Sequence, residues 1–128
     1  MRLLIDTQIL LRALYDPGKL PAALAARLID PANDIVFSTV SIAEIAIKAS
    51  LKRADFPFQP EDVDASARST GFTEIPLTAQ HAIRLAGLPW HHRDPFDRML
   101  VAQTLDEGLR FLTTDVLLTR YSDLVETT

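Results

Sequence analysis

Five acidic residues stand at the ends of predicted strands or at the starts of predicted helices. Asp6 ends the apolar segment "RLLID", Asp115 ends "LRFLTTD", and Glu44 follows the apolar segment "DIVFS". Asp94 and Asp97 stand at the start of the segment "PFDRMLVAQTLDEG". Carboxylates that crowd together repel one another unless a divalent cation neutralises them, and Mg²⁺ or Mn²⁺ prefers hard oxygen ligands. Because such an ion can activate water and polarise a phosphate, this set suits phosphoryl chemistry.

Each of these acids also has an alternative role at a helix N-terminus, where unpaired N–H groups and the helix dipole favour carboxylates. Ser41 and Glu44 fit a capping box, in which Glu44 reaches back to the amide of the N-cap residue. Asp94 followed by Pro95 fits an N-cap and the first helical position. Asp97 is not needed as the cap, and its side chain is therefore free to point outward.

For Asp6 and Asp115 the alternative is also capping, but a threonine stands beside each of them. Thr7 and Thr114 could cap the following helices equally well, so a hydroxyl in place of either carboxylate would cost little. A carboxylate at both positions is therefore a first indication of a role beyond capping.

Short apolar segments alternate with helical patterns along the chain. Strands are predicted in residues 2–6, 34–38, 72–75 and 109–115, with a further short strand in the tail. Helices are predicted in residues 7–15, 20–30, 41–52, 61–71, 78–87 and 95–108, with one helical turn after 115. This alternation indicates an α/β sandwich with a mainly parallel sheet. In such a sheet the ligand site lies beyond the carboxyl ends of the strands, which is where the acids would gather.

The composition bounds the type of protein. The chain has 128 residues, of which 48% are hydrophobic and 23% charged, so we predict one globular domain spanning 1–128. The absence of cysteine excludes disulfides and thiolate metal sites, so any metal must be held by oxygen or imidazole. No apolar run is long enough to span a bilayer, and Asp6 and Arg12 interrupt the segment where a signal peptide would be apolar. We therefore expect a cytoplasmic protein without membrane contact.

The formal net charge of −4 bears on partners. It argues against a protein that holds nucleic acid by bulk electrostatics, because such proteins usually have a strongly basic face. It does not exclude a nuclease, because clustered acids make the count negative and a bound cation reverses the local sign.

Four segments together resemble a known family: "LLIDTQILLRAL", "FSTVSIAEIAIKASLKR", "LPWHHRDPFDRMLVAQTL" and "FLTTD". In this order and spacing they are similar to PIN-domain ribonucleases, and in particular to VapC-type toxins of bacterial toxin–antitoxin pairs. The resemblance extends over nearly the whole chain. It implies a three-layer α/β/α sandwich with a central parallel sheet, and a metal-dependent endoribonuclease that leaves a 5′-phosphate and a 3′-hydroxyl.

The resemblance also implies roles for the acids. Asp6 and Asp97 match the main ligands of Mg²⁺ or Mn²⁺, Glu44 completes the site or positions water, and Asp115 holds a ligand water or a second ion. Members of the family usually form homodimers. They are inhibited by an antitoxin protein that inserts a segment at the active site.

Several further residues are assigned supporting or substrate roles. Thr7 and Thr114 match hydroxyl residues that support neighbouring acids in the family, and Asp94 is expected to begin its helix. Residues of the loop and the following helix could approach RNA phosphates, although surface-loop roles are the alternative for the histidines. They are His91, His92, Arg93 and Arg98. Lys48, one turn after Glu44, is predicted to form a helix ion pair with it.

Two other functions compete with a toxin ribonuclease. A phospho-receiver domain has a similar length, a parallel sheet and an acidic Mg²⁺ pocket, but needs paired acids after its first strand and a lysine after a late strand. Here Asp6 stands alone, and Asp115 occupies the place of that lysine. A PIN fold that has lost catalysis and serves as a binding module is the other alternative, and the presence of all four acids counts against it.

Overall fold

The computed structural model describes residues 1–127 and contains a five-stranded sheet. Its strands are β1 (Arg2–Ile5), β2 (Asp34–Ser38), β3 (Thr73–Ile75), β4 (Arg110–Thr113) and β5 (Val125–Thr127). Their order is β3-β2-β1-β4-β5, and every neighbouring pair is parallel. The predicted parallel sheet is therefore confirmed.

Six α-helices within the described residues connect these strands. They are α1 (Thr7–Tyr15), α2 (Ala22–Ile29), α3 (Thr39–Ser50), α4 (Pro60–Thr70), α5 (Ala79–Arg84) and α6 (Pro95–Glu107). Short 3₁₀ helices follow α1, α5 and β4, and the last of them spans Val116–Tyr121. Helix α6 ends at Gly108, whose positive φ of 66° a glycine adopts without steric cost before the chain enters β4. No helix in residues 1–127 has both the length and the apolar character that a membrane span requires.

The sheet carries a separate apolar core on each face, as the period of two along a strand requires. On β1, Leu4 belongs to one core, and Leu3 and Ile5 belong to the other. The first core includes Leu100 and Val101 of α6, whereas the second is covered mainly by apolar residues of α1 to α4. This arrangement confirms the three-layer α/β/α sandwich.

The start of α3 differs from the prediction. The helix begins at Thr39, because the Ser38 side chain caps it by accepting a hydrogen bond from the amide of Val40 at 3.0 Å. Ser41 is consequently a buried residue within the helix, and Glu44 makes no capping contact. The capping-box alternative for Ser41 and Glu44 was wrong, and the glutamate side chain is available for other contacts.

The central position of β1 determines where the site forms. Strand β1 lies between β2 and β4, with Ile5 paired with Leu112. The residues that follow β1, β2 and β4 therefore meet at one edge of the sheet, although they are far apart in the sequence.

Candidate functional site

One cavity at the carboxyl edge of the sheet is lined by all five of the acids singled out in the sequence. It has a volume of about 440 Å³ and is bordered by Asp6, Glu44, Asp94, Asp97 and Asp115, together with uncharged neighbours and a lysine. The fold thus brings together the acids that four separate segments contribute.

Asp6 is the most constrained of these acids. Its Oδ1 accepts a hydrogen bond from the amide of Ile9 at 2.7 Å, which makes Asp6 the N-cap of α1. Its Oδ2 accepts hydrogen bonds from the Thr113 hydroxyl at 2.8 Å and from the Thr114 amide at 3.0 Å. Burial raises the pKa of Asp6 above its ordinary value, and these hydrogen bonds oppose the rise. The residue is both a helix cap and a cavity acid, so the two roles do not exclude each other.

Glu44 is held by contacts on both of its carboxylate oxygens. Oε1 accepts a hydrogen bond from the Thr7 hydroxyl at 2.7 Å, and that hydroxyl also lies 2.9 Å from Oγ of Ser41. Oε2 accepts a hydrogen bond from Nζ of Lys48 at 2.7 Å, so the predicted ion pair within the helix is confirmed. Lys48 is half exposed and also borders the cavity, and its ammonium therefore balances part of the charge of the acids.

Removing the Thr7 hydroxyl should destabilise the protein, because the Glu44 carboxylate would remain buried with one fewer donor. We expect the Thr7→Val substitution, which keeps the shape, to cost about 1.5–3 kcal/mol of unfolding free energy. Urea unfolding of the two proteins measures this difference. Thr119→Val, at a hydroxyl that contacts only the Val116 carbonyl, is the matched control, and an equal loss in both variants would contradict the assignment.

Asp94 and Asp97 have different roles at the start of α6. The role of Asp94 as the helix cap was predicted from the sequence. Oδ1 of Asp94 accepts hydrogen bonds from the amides of Phe96 at 2.8 Å and Asp97 at 3.1 Å, which confirms Asp94 as the N-cap. Among residues 1–127, no N–H or O–H group donates a hydrogen bond to the Asp97 carboxylate, and Nε2 of His92 lies 3.8 Å away. Burial, and then the nearby charge of Asp94, raise the pKa of Asp97 to about 7.

Because Asp94 caps the helix through its oxygen, asparagine should replace it with little effect. We expect Asp94→Asn to keep the RNA cleavage that the family resemblance implies within a few-fold of the wild type, whereas Asp94→Ala should lose about 1 kcal/mol of stability with the cap. Cleavage assays and thermal unfolding measure the two effects. A loss of cleavage in Asp94→Asn as deep as that of Asp97→Asn would instead make Asp94 a ligand.

Asp115 reaches the cavity from the end of β4. Its Oδ1 caps the last 3₁₀ helix by accepting a hydrogen bond from the Leu117 amide at 3.0 Å. Its Oδ2 lies 2.6 Å from Nε2 of His92. Potential ligand atoms of His92, Asp97 and Asp115 all lie within 4.8 Å of one another.

The four residues considered for RNA contact have different environments. His91 and Arg93 are exposed, and the His91 ring lies edge-on to Tyr121 at 5.0 Å between centroids. Arg98 is only 5% exposed, and its guanidinium donates to the Pro89 carbonyl at 2.8 Å and the Tyr121 hydroxyl at 3.0 Å. The burial of Arg98 argues against the predicted contact with RNA. Its hydrogen bonds instead hold the loop before α6 in place.

Three residues support the site through partners or atoms that the sequence did not predict, although Thr7 and Thr114 were predicted to support neighbouring acids. Thr7 supports Glu44, which lies 37 positions away. Thr113 supports Asp6 across the pairing of β1 and β4. Thr114, which was predicted to support an acid, does so through its amide, while its hydroxyl donates to Gln8 at 2.7 Å. Only the pairing of strands that are distant in the sequence creates these contacts, so local patterns could not predict them.

The arrangement is chemically suited to a hard divalent cation. Asp6 and Asp97 interact unfavourably with each other and with Glu44 across the cavity. Asp97 is partly buried and has no hydrogen-bond donor within residues 1–127, so its oxygens are available to a ligand. A cation bound between these carboxylates would relieve their repulsion and supply the missing partner.

Comparisons with known proteins agree with this fold. Comparison with curated protein sequences gives no match. Among solved structures, the chain is similar to a chain of VapBC2 from Rickettsia felis bound to a promoter DNA fragment, with a TM-score of 0.70 and 17% identity over 99% of this chain and 98% of that one. DNA-bound VapBC from Salmonella typhimurium gives a TM-score of 0.69 and 14% identity over 100% and 97% of the two chains. VapBC-1 from nontypeable Haemophilus influenzae gives a TM-score of 0.66 and 16% identity over 100% of this chain and 97% of that one.

At these identities the structural likeness establishes the fold, and the sequence itself establishes the family. The model of the PIN domain matches residues 3–124, which is nearly the whole chain. The resemblance drawn from the four sequence segments is thus confirmed at the level of the family: the chain belongs to the PIN domain family.

Proposed function

We propose that this protein is a divalent-metal-dependent endoribonuclease that acts as the toxin of a type II toxin–antitoxin pair. The observation that carries the proposal is the convergence of Asp6, Glu44, Asp97 and Asp115 on one cavity at the carboxyl edge of a PIN-family fold. Crowded carboxylates cost stability in the absence of a ligand, so their presence at one place favours a functional role.

Asp6 and Asp97 would hold Mg²⁺ or Mn²⁺, because a cation between them would remove the repulsion of the two carboxylates. Glu44 completes the site, and the ammonium of Lys48 offsets part of its negative charge. A bound ion of this type lowers the pKa of water and polarises a phosphoryl oxygen. The protein's own contribution is to fix the carboxylates: helix caps orient Asp6 and Asp115, and the Thr7 hydroxyl orients Glu44.

The cavity is open to solvent, so a phosphodiester chain that is longer than the cavity could extend beyond its border. Lys48 at its border and the exposed Arg93 provide positive charge for backbone phosphates. Since Arg98 is buried, we assign no RNA contact to it. RNA is proposed as the substrate because of the resemblance to PIN-domain ribonucleases, and the expected products carry a 5′-phosphate and a 3′-hydroxyl.

An antitoxin protein and a second copy of this chain are the proposed partners. The similar structures are of VapBC proteins from three bacteria, and a further similar structure, VapBC-5 from Mycobacterium tuberculosis with a TM-score of 0.54, is of a member of the VapBC family of toxin–antitoxin systems. An acidic protein with a net charge of −4 fits a partner segment that carries positive charge. Such a pair would act in the cytoplasm, as the sequence predicts.

The test is cleavage of RNA by the purified protein with Mn²⁺ or Mg²⁺, using a mixed cellular RNA and synthetic oligonucleotides. We expect cleavage with either ion, its loss on chelation, and fragments with 5′-phosphate ends. A small DNA-binding protein encoded beside this gene should suppress the reaction. A folded protein that binds such a partner but cleaves no RNA with any divalent ion would instead be a catalytically silent PIN module.

A further inference from the structure

The loop before α6 contains His92, a histidine whose two ring nitrogens both have defined partners. Nδ1 accepts a hydrogen bond from the backbone amide of Asp94 at 3.0 Å, and Nε2 lies 2.6 Å from Oδ2 of Asp115. The side chain is 16% exposed, so it is largely shielded from water. The contacts therefore connect the start of α6 with the end of β4.

The partner of Nδ1 determines the tautomer of the ring. A neutral imidazole has one nitrogen that accepts and one that donates. Because the amide of Asp94 can only donate, Nδ1 must accept, and the proton must lie on Nε2. Nε2 then donates to Asp115 and has no lone pair for a metal ion.

We propose that His92 positions Asp115 in the acidic site as an Nε2–H donor, and that it is neither a metal ligand nor an RNA contact. This inference rests on the proposed nuclease function for its catalytic consequence. The Leu117 amide holds one oxygen of Asp115, and His92 holds the other, so the two donors together fix the plane of this carboxylate.

Hydrogen bonds from neighbouring residues hold the loop that carries His92 in place. Its own backbone amide donates to the Tyr121 hydroxyl at 3.1 Å, and the same hydroxyl accepts from Nη1 of Arg98 at 3.0 Å. Arg98 is buried, and its guanidinium stacks on the Trp90 ring at 3.8 Å. The position of the imidazole thus depends on a network that joins the loop, α6 and the last 3₁₀ helix.

The nearby carboxylate of Asp97 explains why Asp115 needs a hydrogen-bond donor. Asp97 lies close to Asp115, and Nε2 of His92 is 3.8 Å from Oδ2 of Asp97. Without the donor, Asp115 would be free to rotate away from the neighbouring carboxylate, and its contribution to a metal ion or to a ligand water would weaken. Residues that orient metal ligands in this way typically contribute about 10–100-fold to metal affinity or activity.

Two substitutions separate the two contacts of the ring. His92→Asn keeps an acceptor for the Asp94 amide but is too short to reach Asp115, whereas His92→Gln carries an amide donor near the position of Nε2. We expect His92→Asn to weaken Mn²⁺ affinity and RNA cleavage by about 10–100-fold, and His92→Gln to restore both to within a few-fold. Isothermal titration with Mn²⁺ measures affinity independently of cleavage.

Coupling to Asp115 provides the second readout. If His92 acts through Asp115, adding His92→Asn to Asp115→Asn should weaken Mn²⁺ binding little beyond the single Asp115→Asn change. His81→Asn is the matched control, because His81 has the same arrangement, with Nδ1 accepting from Thr78 and Nε2 2.9 Å from Glu107, near the opposite end of α6. We expect it to lower the melting temperature and to leave Mn²⁺ affinity unchanged.

Three results would overturn the assignment. Equal loss in His92→Gln and His92→Asn would make the imidazole itself necessary, as a ligand or in proton transfer. If His92→Asn left the Mn²⁺ affinity unchanged but raised the KM for RNA, His92 would be a substrate contact. Additive effects of the His92 and Asp115 changes would show that the two residues act separately. If the wild type binds Mn²⁺ but cleaves no RNA, the proposed function fails, while the coupling in Mn²⁺ binding still tests the role of His92.

Discussion

Asp97→Asn is expected to abolish RNA cleavage and at the same time to raise the melting temperature of the metal-free protein. Asparagine keeps the shape of the side chain but removes the charge that a cation needs, so activity should fall by more than about 100-fold, the upper range for residues that only orient ligands. The same change removes a carboxylate that lies near Asp94, Asp6 and Glu44, and repulsion among these acids destabilises the metal-free fold. Cleavage assays and thermal unfolding in chelator measure the two effects.

Asp6→Asn provides the comparison for this result. It should also abolish cleavage, but Asp6 receives three hydrogen bonds that favour the ionised carboxylate, so its replacement should gain less stability or lose some. A site that gains stability when it loses activity is typical of functional residues held in unfavourable surroundings. Full cleavage in both variants would contradict the metal-site assignment.

The second expected result is a melting temperature that falls with rising pH in the metal-free protein and depends much less on pH when Mn²⁺ is bound. In the folded metal-free protein the pKa of Asp97 is about 7, whereas in the unfolded chain it is near the ordinary value of 3.8. Between these values the folded state holds a proton that the unfolded state has released, so stability falls as pH rises through this window. The penalty is absent below the ordinary pKa, complete above the raised one, and amounts to at most about 4 kcal/mol.

Adding Mn²⁺ should largely remove this dependence, because the metal-bound folded state and the unfolded chain then both carry the ionised carboxylate in this window. At about one hundred times the dissociation constant, binding should stabilise the fold by about 2.7 kcal/mol. Differential scanning calorimetry from about pH 5 to about pH 8, in chelator and in Mn²⁺, measures both curves. Asp97→Asn should flatten the curve in chelator and lose the stabilisation by Mn²⁺. A wild type whose stability does not change with Mn²⁺ at the higher pH would argue against a metal site.

The sequence predicted the elements of the fold because each carries a local signal. Alternation of apolar strands and amphipathic helices identified the parallel sheet, and the Asp-Pro pair identified the start of α6 with Asp94 as its cap. The start of α3 was placed two residues late, because Ser38 at the end of β2 serves as the cap and leaves no loop between the strand and the helix.

The supporting contacts of the site depend on tertiary structure and have no local signal. Arginine is usually exposed, but the guanidinium of Arg98 is buried against loop carbonyls. His92 has no sequence neighbour that indicates a partner at Asp115, 23 positions later. The acids could be predicted because a parallel sheet places the carboxyl ends of its strands together. The hydrogen-bond donors that orient these acids depend on how the loops pack, so they could not be predicted.

The central place of β1 in the sheet also has a consequence for synthesis of the protein. Asp6 is made long before Thr113 and Thr114, but its carboxylate obtains their hydrogen-bond donors only when β4 pairs with β1. Pairing between segments so distant in sequence requires most of the chain to be present. A nascent chain on the ribosome therefore has no complete acidic site until residue 115 has emerged, and a product truncated before β4 would lack the donors that hold Asp6.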